Sequence, residues 1–225
     1  MNIQKIVESF EKFIKQDVII AIGTCEADAD FIDELIKLLL FKKKKILFVP
    51  TTAKQATQLH NLGQTVISLS DKEIDVAIEF ANQVDSYNNF IKKDTRSFIR
   101  DKMIAQSAQT MVIVTNSYDI VEKIDKDIYV EISSFAWERT ILNLQSYGFA
   151  RVVKDTDDNF TKTETGHYLA RITLDKNITL DDFEYSVRTI PGVLETGVFL
   201  GLADIFLVID SKEQITIKTT SQVKQ

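Results

Sequence analysis

Hydrophobic positions along the first half of the chain follow two alternating periods. Ile3, Ile6, Val7, Phe10, Phe13 and Ile14 recur at the spacing of one helix face. The unbroken apolar run Val18–Ile22 then has the length and content of a strand buried on both sides. Helical spacing returns at Phe31, Ile32, Leu35, Ile36, Leu39 and Leu40, and residues 46–49 read as a strand. Residues 52–62 read as a helix closed by Gly63, a residue suited to the turn just past a helix end. Strands are predicted over 65–69 and Val76–Phe80, a helix over 96–108 and a strand over 111–115. Such alternation predicts a parallel sheet with helices on both faces.

Beyond residue 115 the pattern changes. A strand is predicted over Ile128–Ile132, then a helix over 135–147 with Ser134 as N-cap and Gly148 past its end. Strands over 150–153 and 167–173 flank a polar, Asp-rich stretch. A helix over 180–189 is stopped by Pro191-Gly192, and residues 195–199 form the last strand of this set. The order β-α-β-β-α-β is that of a ferredoxin-like unit. Strand patterns at 204–209 and 214–218 return most simply to the first sheet. The expected fold is therefore α/β: a doubly wound Rossmann-like domain from residues 1–124 plus 203–225, with a smaller ferredoxin-like α+β domain over 127–201. No repeat or low-complexity linker separates them, so close packing is expected.

Composition narrows the function classes. Of 225 residues 44% are hydrophobic, enough for a real core, and 7 Gly with 2 Pro argue against disorder. The net charge of −6, with residues 42–45 as the one basic run, disfavours nucleic acid as a partner. That run falls between a helix and a strand and reads as a solvated turn. The single Cys25 excludes an internal disulfide and fits a reducing compartment. Met1-Asn2-Ile3-Gln4-Lys5 carries no apolar signal core, and no apolar run is long enough for a membrane span. A soluble, cytoplasmic protein without a membrane partner is expected. His60 and His167 have no metal-ligand spacing with each other or with Cys25, so no metal is expected.

Several segments resemble the ribose-5-phosphate isomerase A family in order and spacing. Ile22-Gly23-Thr24 stands where that family begins a Gly-Thr-Gly-Ser-Thr loop, and Val49-Pro50-Thr51-Thr52 resembles its Pro-Thr-Ser segment. Ile91-Lys92 and Ile99-Arg100-Asp101-Lys102 resemble its Ile-Lys-Gly-Gly-Gly-Gly and Arg-Glu-Lys segments. Val130-Glu131-Ile132 with Phe135-Ala136-Trp137 is similar to Val-Glu-Val-Val-Pro-Phe-Ala-Trp. Ile190-Pro191-Gly192-Val193, Gly197-Val198-Phe199 and Ala203-Asp204 are similar to Ile-Pro-Gly-Val-Val, Gly-Leu-Phe and Ala-Asp. The resemblance implies an enzyme that interconverts D-ribose 5-phosphate and D-ribulose 5-phosphate through an enediolate, without a cofactor, as a homo-oligomer.

That chemistry needs a phosphate cradle, a carboxylate that moves a proton between C1 and C2, and groups that stabilise charge on oxygen. The resemblance carries these tasks to positions that are mostly substituted here. Thr24 is kept in the phosphate loop, but Cys25-Glu26-Ala27 replaces Gly-Ser-Thr, and Glu26 would repel a phosphate dianion. Thr24 reads equally as a strand-end turn residue. Glu79-Phe80-Ala81-Asn82-Gln83 replaces Asp-Gly-Ala-Asp-Glu, so Glu79 and Asn82 occupy the two Asp positions and Phe80 adds bulk beside the sugar. The same segment also reads as a core strand with a polar end. Lys92 is kept, whereas Lys93-Asp94-Thr95-Arg96 replaces four glycines that let backbone approach a ligand. These residues also suit a solvated loop entering a helix. Asp101 stands at the general-base position, one methylene shorter than Glu, and also fits an exposed helix. Asp119 stands where the family has a lysine, turning a cation into an anion.

Three readings follow. The first is a catalytically impaired paralogue that binds a phosphosugar or an altered ligand. The second is an active isomerase with Asp101 as base assisted by Lys92. The third is a sugar-phosphate sensor or interaction protein.

Overall fold

The computed structural model describes residues 2–70 and 72–220. Met1, Asp71 and residues 221–225, the last part of the expected C-terminal return, lie outside the described residues. Along the chain come α1 (Ile3–Glu11), β1 (Val18–Ile22), α2 (Asp28–Phe41), β2 (Ile46–Pro50), α3 (Ala53–Asn61), β3 (Thr65–Val66) and β4 (Val76–Phe80). Next are β5 (Gln83–Val84), β6 (Phe90–Ile91), α4 (Phe98–Ser107), β7 (Met111–Asn116) and β8 (Ile128–Ile132). The rest comprises α5 (Trp137–Leu144), β9 (Gly148–Val152), β10 (Tyr168–Leu174), α6 (Leu180–Val187), β11 (Val193–Thr196), β12 (Val198–Phe199), β13 (Ile205–Ile209) and β14 (Ile215–Thr219).

A seven-stranded sheet runs β14-β13-β7-β4-β1-β2-β3, parallel except for the edge strand β14. Its central strands read as continuous apolar runs because both faces are covered, and β4 is buried at all five positions. Two cores flank it. One gathers Phe10, Phe31, Leu35 and Phe48, and the other gathers Ile104, Met111, Ile113 and Phe206. Connections leave β1 in opposite directions, toward β2 on one side and β4 on the other. In a doubly wound sheet a ligand crevice opens at that reversal, outside the carboxyl ends of the strands.

The second sheet is antiparallel in the order β11-β8-β10-β9, the ferredoxin-like arrangement, with α5 and α6 over one face. A third sheet, β12-β6-β5, has strands of two residues each. Strands so short leave no periodicity to read, and β5 and β6 were not expected from sequence.

Local expectations differ from the structure at several points; the strand expected over 65–69, for example, ends at Val66. The strand over 195–199 breaks at Gly197. There the N–H donates to Tyr129 O at 2.8 Å and the carbonyl accepts from Lys92 N–H at 2.8 Å, so the chain changes sheets. A Cβ at Gly197 would stand 2.2 Å from Lys92 O. The helix predicted from 135 begins at Trp137. Ala136 takes the cap position at φ 48°, and Ser133 instead of Ser134 accepts a backbone bond, from Phe135 N–H at 3.2 Å. The Phe80 ring, expected from sequence as added bulk, packs edge-on against Phe31 at 5.6 Å in the core.

Candidate functional site

At the crevice beyond β1 and β4, three ionisable side chains meet out of contact with solvent. Glu79 comes from the end of β4, Lys92 follows β6, and Asp101 lies in the first turn of α4. Lys92 Nζ is 2.5 Å from Glu79 Oε2 and 3.0 Å from Asp101 Oδ2, with all three side chains at 0% exposure. Ser97 caps α4, and a carboxylate in that first turn is favoured by the helix dipole. The expectation that Asp101 fits an exposed helix is therefore corrected. Gly23 makes room for the arrangement, since a Cβ there would lie 2.0 Å from Glu79 Oε2.

One ammonium faces two carboxylates, and the balance shows in their protonation. Burial, reinforced by repulsion from Asp101 and opposed by Lys92, pushes the Glu79 carboxyl up to about 7. Burial alone would lower the Lys92 ammonium, but the charges of Asp101 and Glu79 override it and hold it above the ordinary lysine range. Glu79 Oε1 and Asp101 Oδ1 are buried without a hydrogen-bond partner. Near neutrality the cluster is thus half-satisfied, with a proton shared between solution and Glu79.

A lid of four residues lies over this cluster. Thr95 Oγ1 donates to Asp101 Oδ2 at 2.6 Å, Thr24 Oγ1 donates to Asp94 O at 3.2 Å, and Lys93 N–H donates to Asn82 Oδ1 at 2.7 Å. From the second sheet's side, Glu164 N–H donates to Arg96 O at 2.9 Å. Outside the lid is a cavity of about 500 Å³, walled by Thr24, Glu26, Lys54, Lys93, Thr95 and Arg96, with Tyr129, Thr161 and Leu169 contributed by the antiparallel sheet and its neighbouring loop. Glu79, Lys92 and Asp101 do not line it. Among the described residues Lys54, Lys93, Arg96 and Glu26 form no ion pair, so charges of both signs face the cavity unneutralised. Cys25, also on the wall, is held as a thiol, since burial pushes it up to about 12. Among the described residues no group of three or more His, Cys, Asp and Glu side chains is arranged to hold a metal ion.

The family model for ribose 5-phosphate isomerase A (phosphoriboisomerase A) matches residues 47–213. The chain belongs to the ribose-5-phosphate isomerase A family. It is 29% identical over 176 residues to ribose-5-phosphate isomerase A 1 of Oceanobacillus iheyensis, covering 77% of this chain and 78% of that one. It is 30% identical over 203 residues to ribose-5-phosphate isomerase A of Prochlorococcus marinus, covering 87% and 86%. A solved D-ribose-5-phosphate isomerase in complex with phospho-erythronic acid superposes with a TM-score of 0.87 at 26% identity, over 97% of this chain and 100% of that chain.

Within the isomerase A frame, the tertiary fold divides the candidate site positions into three groups. Thr24, Glu26, Lys93 and Thr95 line the cavity. Glu79, Lys92 and Asp101 lie sealed beneath the lid. Asn82 and Asp119 are not on the cavity wall: Asn82 Oδ1 accepts from Lys93 N–H, and Asp119 pairs with Lys126 at 2.5 Å and accepts from Asn116 at 2.9 Å. Lys54 and Tyr129 escaped the sequence reading because each belongs to a segment with no chemical motif and reaches the cavity only through packing.

The isomerase A frame also contains a second buried network. Glu131, on β8, is 0% exposed. It accepts from Ser97 Oγ at 3.1 Å and Ile99 N–H at 3.3 Å at the start of α4, and from Thr165 Oγ1 at 2.9 Å; His167 Nδ1 lies 2.9 Å away. Burial would raise this carboxyl, but the bonds from His167, Thr165 and Ile99 N–H outweigh it and hold it below the ordinary carboxylate range. The antiparallel sheet thereby fixes the helix turn that carries Asp101.

Proposed function

We infer that this chain is a catalytically impaired isomerase A paralogue that binds a phosphosugar-like ligand in the cavity outside the lid. The observation that carries this reading is the occupation of the base position. Asp101 offers Oδ2 to both Lys92 and Thr95 under a closed loop, and no part of it reaches the cavity. A proton-transfer base must come within hydrogen-bond reach of the carbon acid, and misplacement by ~1 Å costs on the order of 10²-fold. Asp119 adds a second defect, because it is an anion bound to Lys126 where the enediolate needs positive charge. The relative in complex with phospho-erythronic acid supports a phosphorylated polyhydroxy acid or sugar as the ligand class. The cations Lys54, Lys93 and Arg96 supply its anion contacts, while Glu26 selects against a compact phosphate held at the β1 loop. The same reading divides the fold into residues 1–124 plus 203–225 and residues 127–201, with the cavity between them. It also expects a cytoplasmic homo-oligomer. No helix among the described residues is long and apolar enough to cross a membrane.

The test is kcat/KM for ribose 5-phosphate in the wild type, Asp101→Glu, Asp119→Lys and the double variant. Wild-type turnover at least 10³-fold below an intact isomerase A is expected, with a gain in the double variant over both singles. Ordinary turnover by the wild type would establish the active reading, with Asp101 as base.

A further inference from the structure

Beside the candidate cavity is another, of about 610 Å³, and the two share Tyr129 and Val153 on their walls. Its floor is a row across the antiparallel sheet. Tyr129 on β8 is paired with Arg171 on β10, and Arg171 is paired with Arg151 on β9. Residues directly opposite in antiparallel strands project from the same face, and like charges so placed destabilise a sheet. The cost is offset within the chain at only one of the two arginines. Arg171 contacts Asp127 through Nε at 3.1 Å, and among the described residues Arg151 has no acidic partner. A third cation on the wall, Lys154, is held by Asp158 at 2.8 Å and lies 5.6 Å from the Phe160 ring centroid. Trp137 and Phe160, whose ring centroids are 4.8 Å apart, close the cavity beside the arginines.

Two arginines paired across adjacent strands and lining one cavity offer donors suited to the oxygens of a phosphate group, which arginine binds through paired N–H donors. Bound anion would remove the repulsion between Arg151 and Arg171. We propose that Arg151 and Arg171 form a second anion site, which takes the distal phosphate of a doubly phosphorylated ligand whose other end occupies the adjacent cavity. The ligand class is a sugar-derived bisphosphate, longer than a pentose monophosphate. This deepens the proposed function and rests on it for the proximal end of the ligand. The arginine site itself stands on the sheet geometry alone.

Trp137 is the only tryptophan of the chain, so its fluorescence reports occupancy of this cavity directly. Pyrophosphate, too small to need the neighbouring cavity, is the first probe. A saturable change is expected in the wild type, at least tenfold weaker affinity in Arg151→Ala and Arg171→Gln, and unchanged affinity in Lys15→Ala, an exposed lysine on the wall of neither cavity. Arg151 is exposed on a strand of the sheet, so Arg151→Ala leaves the core untouched, and Arg151→Lys separates charge from fork geometry. No saturable response, or equal affinity in wild type and Arg151→Ala, overturns the site. The second probe compares a pentose 1,5-bisphosphate with a pentose 5-phosphate. The bisphosphate should bind at least tenfold tighter to the wild type and lose that advantage in Arg151→Ala. Equal affinities overturn the link between the cavities. Pentose 5-phosphate binding that is indifferent to Lys93→Ala overturns the reading of the first cavity and leaves the pyrophosphate result standing.

Discussion

Glu79 Oε2 lies 2.5 Å from Lys92 Nζ with neither side chain exposed, so the carboxylate near the end of β4 is tied to the one cation of the buried cluster. Asp101 shares that cation, and three charges with two signs cannot cancel. Burial of unmatched charge is resolved by protonation, which makes the stability of the fold depend on pH.

Glu79 sets the first dependence. Its folded pKa, about 7, is above the ordinary 4.5, so the folded state binds more protons than the unfolded state between those values. The group's contribution is full below pH 4.5 and is lost as pH rises toward 7. Glu79→Gln should remove this trend, worth on the order of 3 kcal/mol across the window. Urea unfolding of wild type and variant from pH 4.5 to 8 should show a stability difference that changes in that interval and is flat above it.

Lys92→Met should destabilise the protein by about 3–5 kcal/mol at pH 7, because it leaves two carboxylates buried without a counter-charge. The loss should shrink at pH 5, where Glu79 is protonated. Combining it with Glu79→Gln and Asp101→Asn should recover part of the stability. Denaturant midpoints of the single and triple variants check this, and equal destabilisation at both pH values would contradict the charge argument.

Gly23→Ala should cost about 1–3 kcal/mol, since the new methyl meets Glu79 Oε2 at 2.0 Å and the salt-bridged carboxylate has nowhere to withdraw. In a Glu79→Ala background the same change should be nearly neutral. A double-mutant cycle by thermal unfolding measures the coupling, and additive effects would place the strain elsewhere.

Glu131 acts in the opposite direction to Glu79. Its folded pKa is depressed, so its stabilisation is present above the ordinary carboxylate pKa and is lost as pH falls through the depressed value. Glu131→Gln should therefore destabilise by about 2 kcal/mol at pH 7 and by less at pH 3. Amide exchange should locate the added opening at Ser97–Asp101 at the start of α4, which receives two of its four hydrogen-bond or ion-pair contacts.

The layers of the fold were legible in the pattern of apolar positions. Val18–Ile22 and Val76–Phe80 read as buried strands because period and burial coincide in a sheet covered on both faces. The change of pattern near Ile128 announced the antiparallel sheet, whose order follows from its connections. The family resemblance marked residues 93–96 as a segment where side chains stand in place of glycines. Which of these side chains meet depends on packing between distant segments. Asp101 looks solvent-facing between Arg100 and Lys102, yet the packing of α4 against two sheets buries it beside Lys92. Phe80 reads as bulk at the polar end of a strand, and only the fold sets its ring against Phe31 of α2. Arg151 and Arg171 are twenty residues apart in sequence with no shared motif, and only the β9–β10 register sets them opposite each other. Periodicity records how one segment meets its surroundings. Charge pairing and cavity walls arise from segments brought together by the fold, and their energies depend on distances that no local pattern encodes.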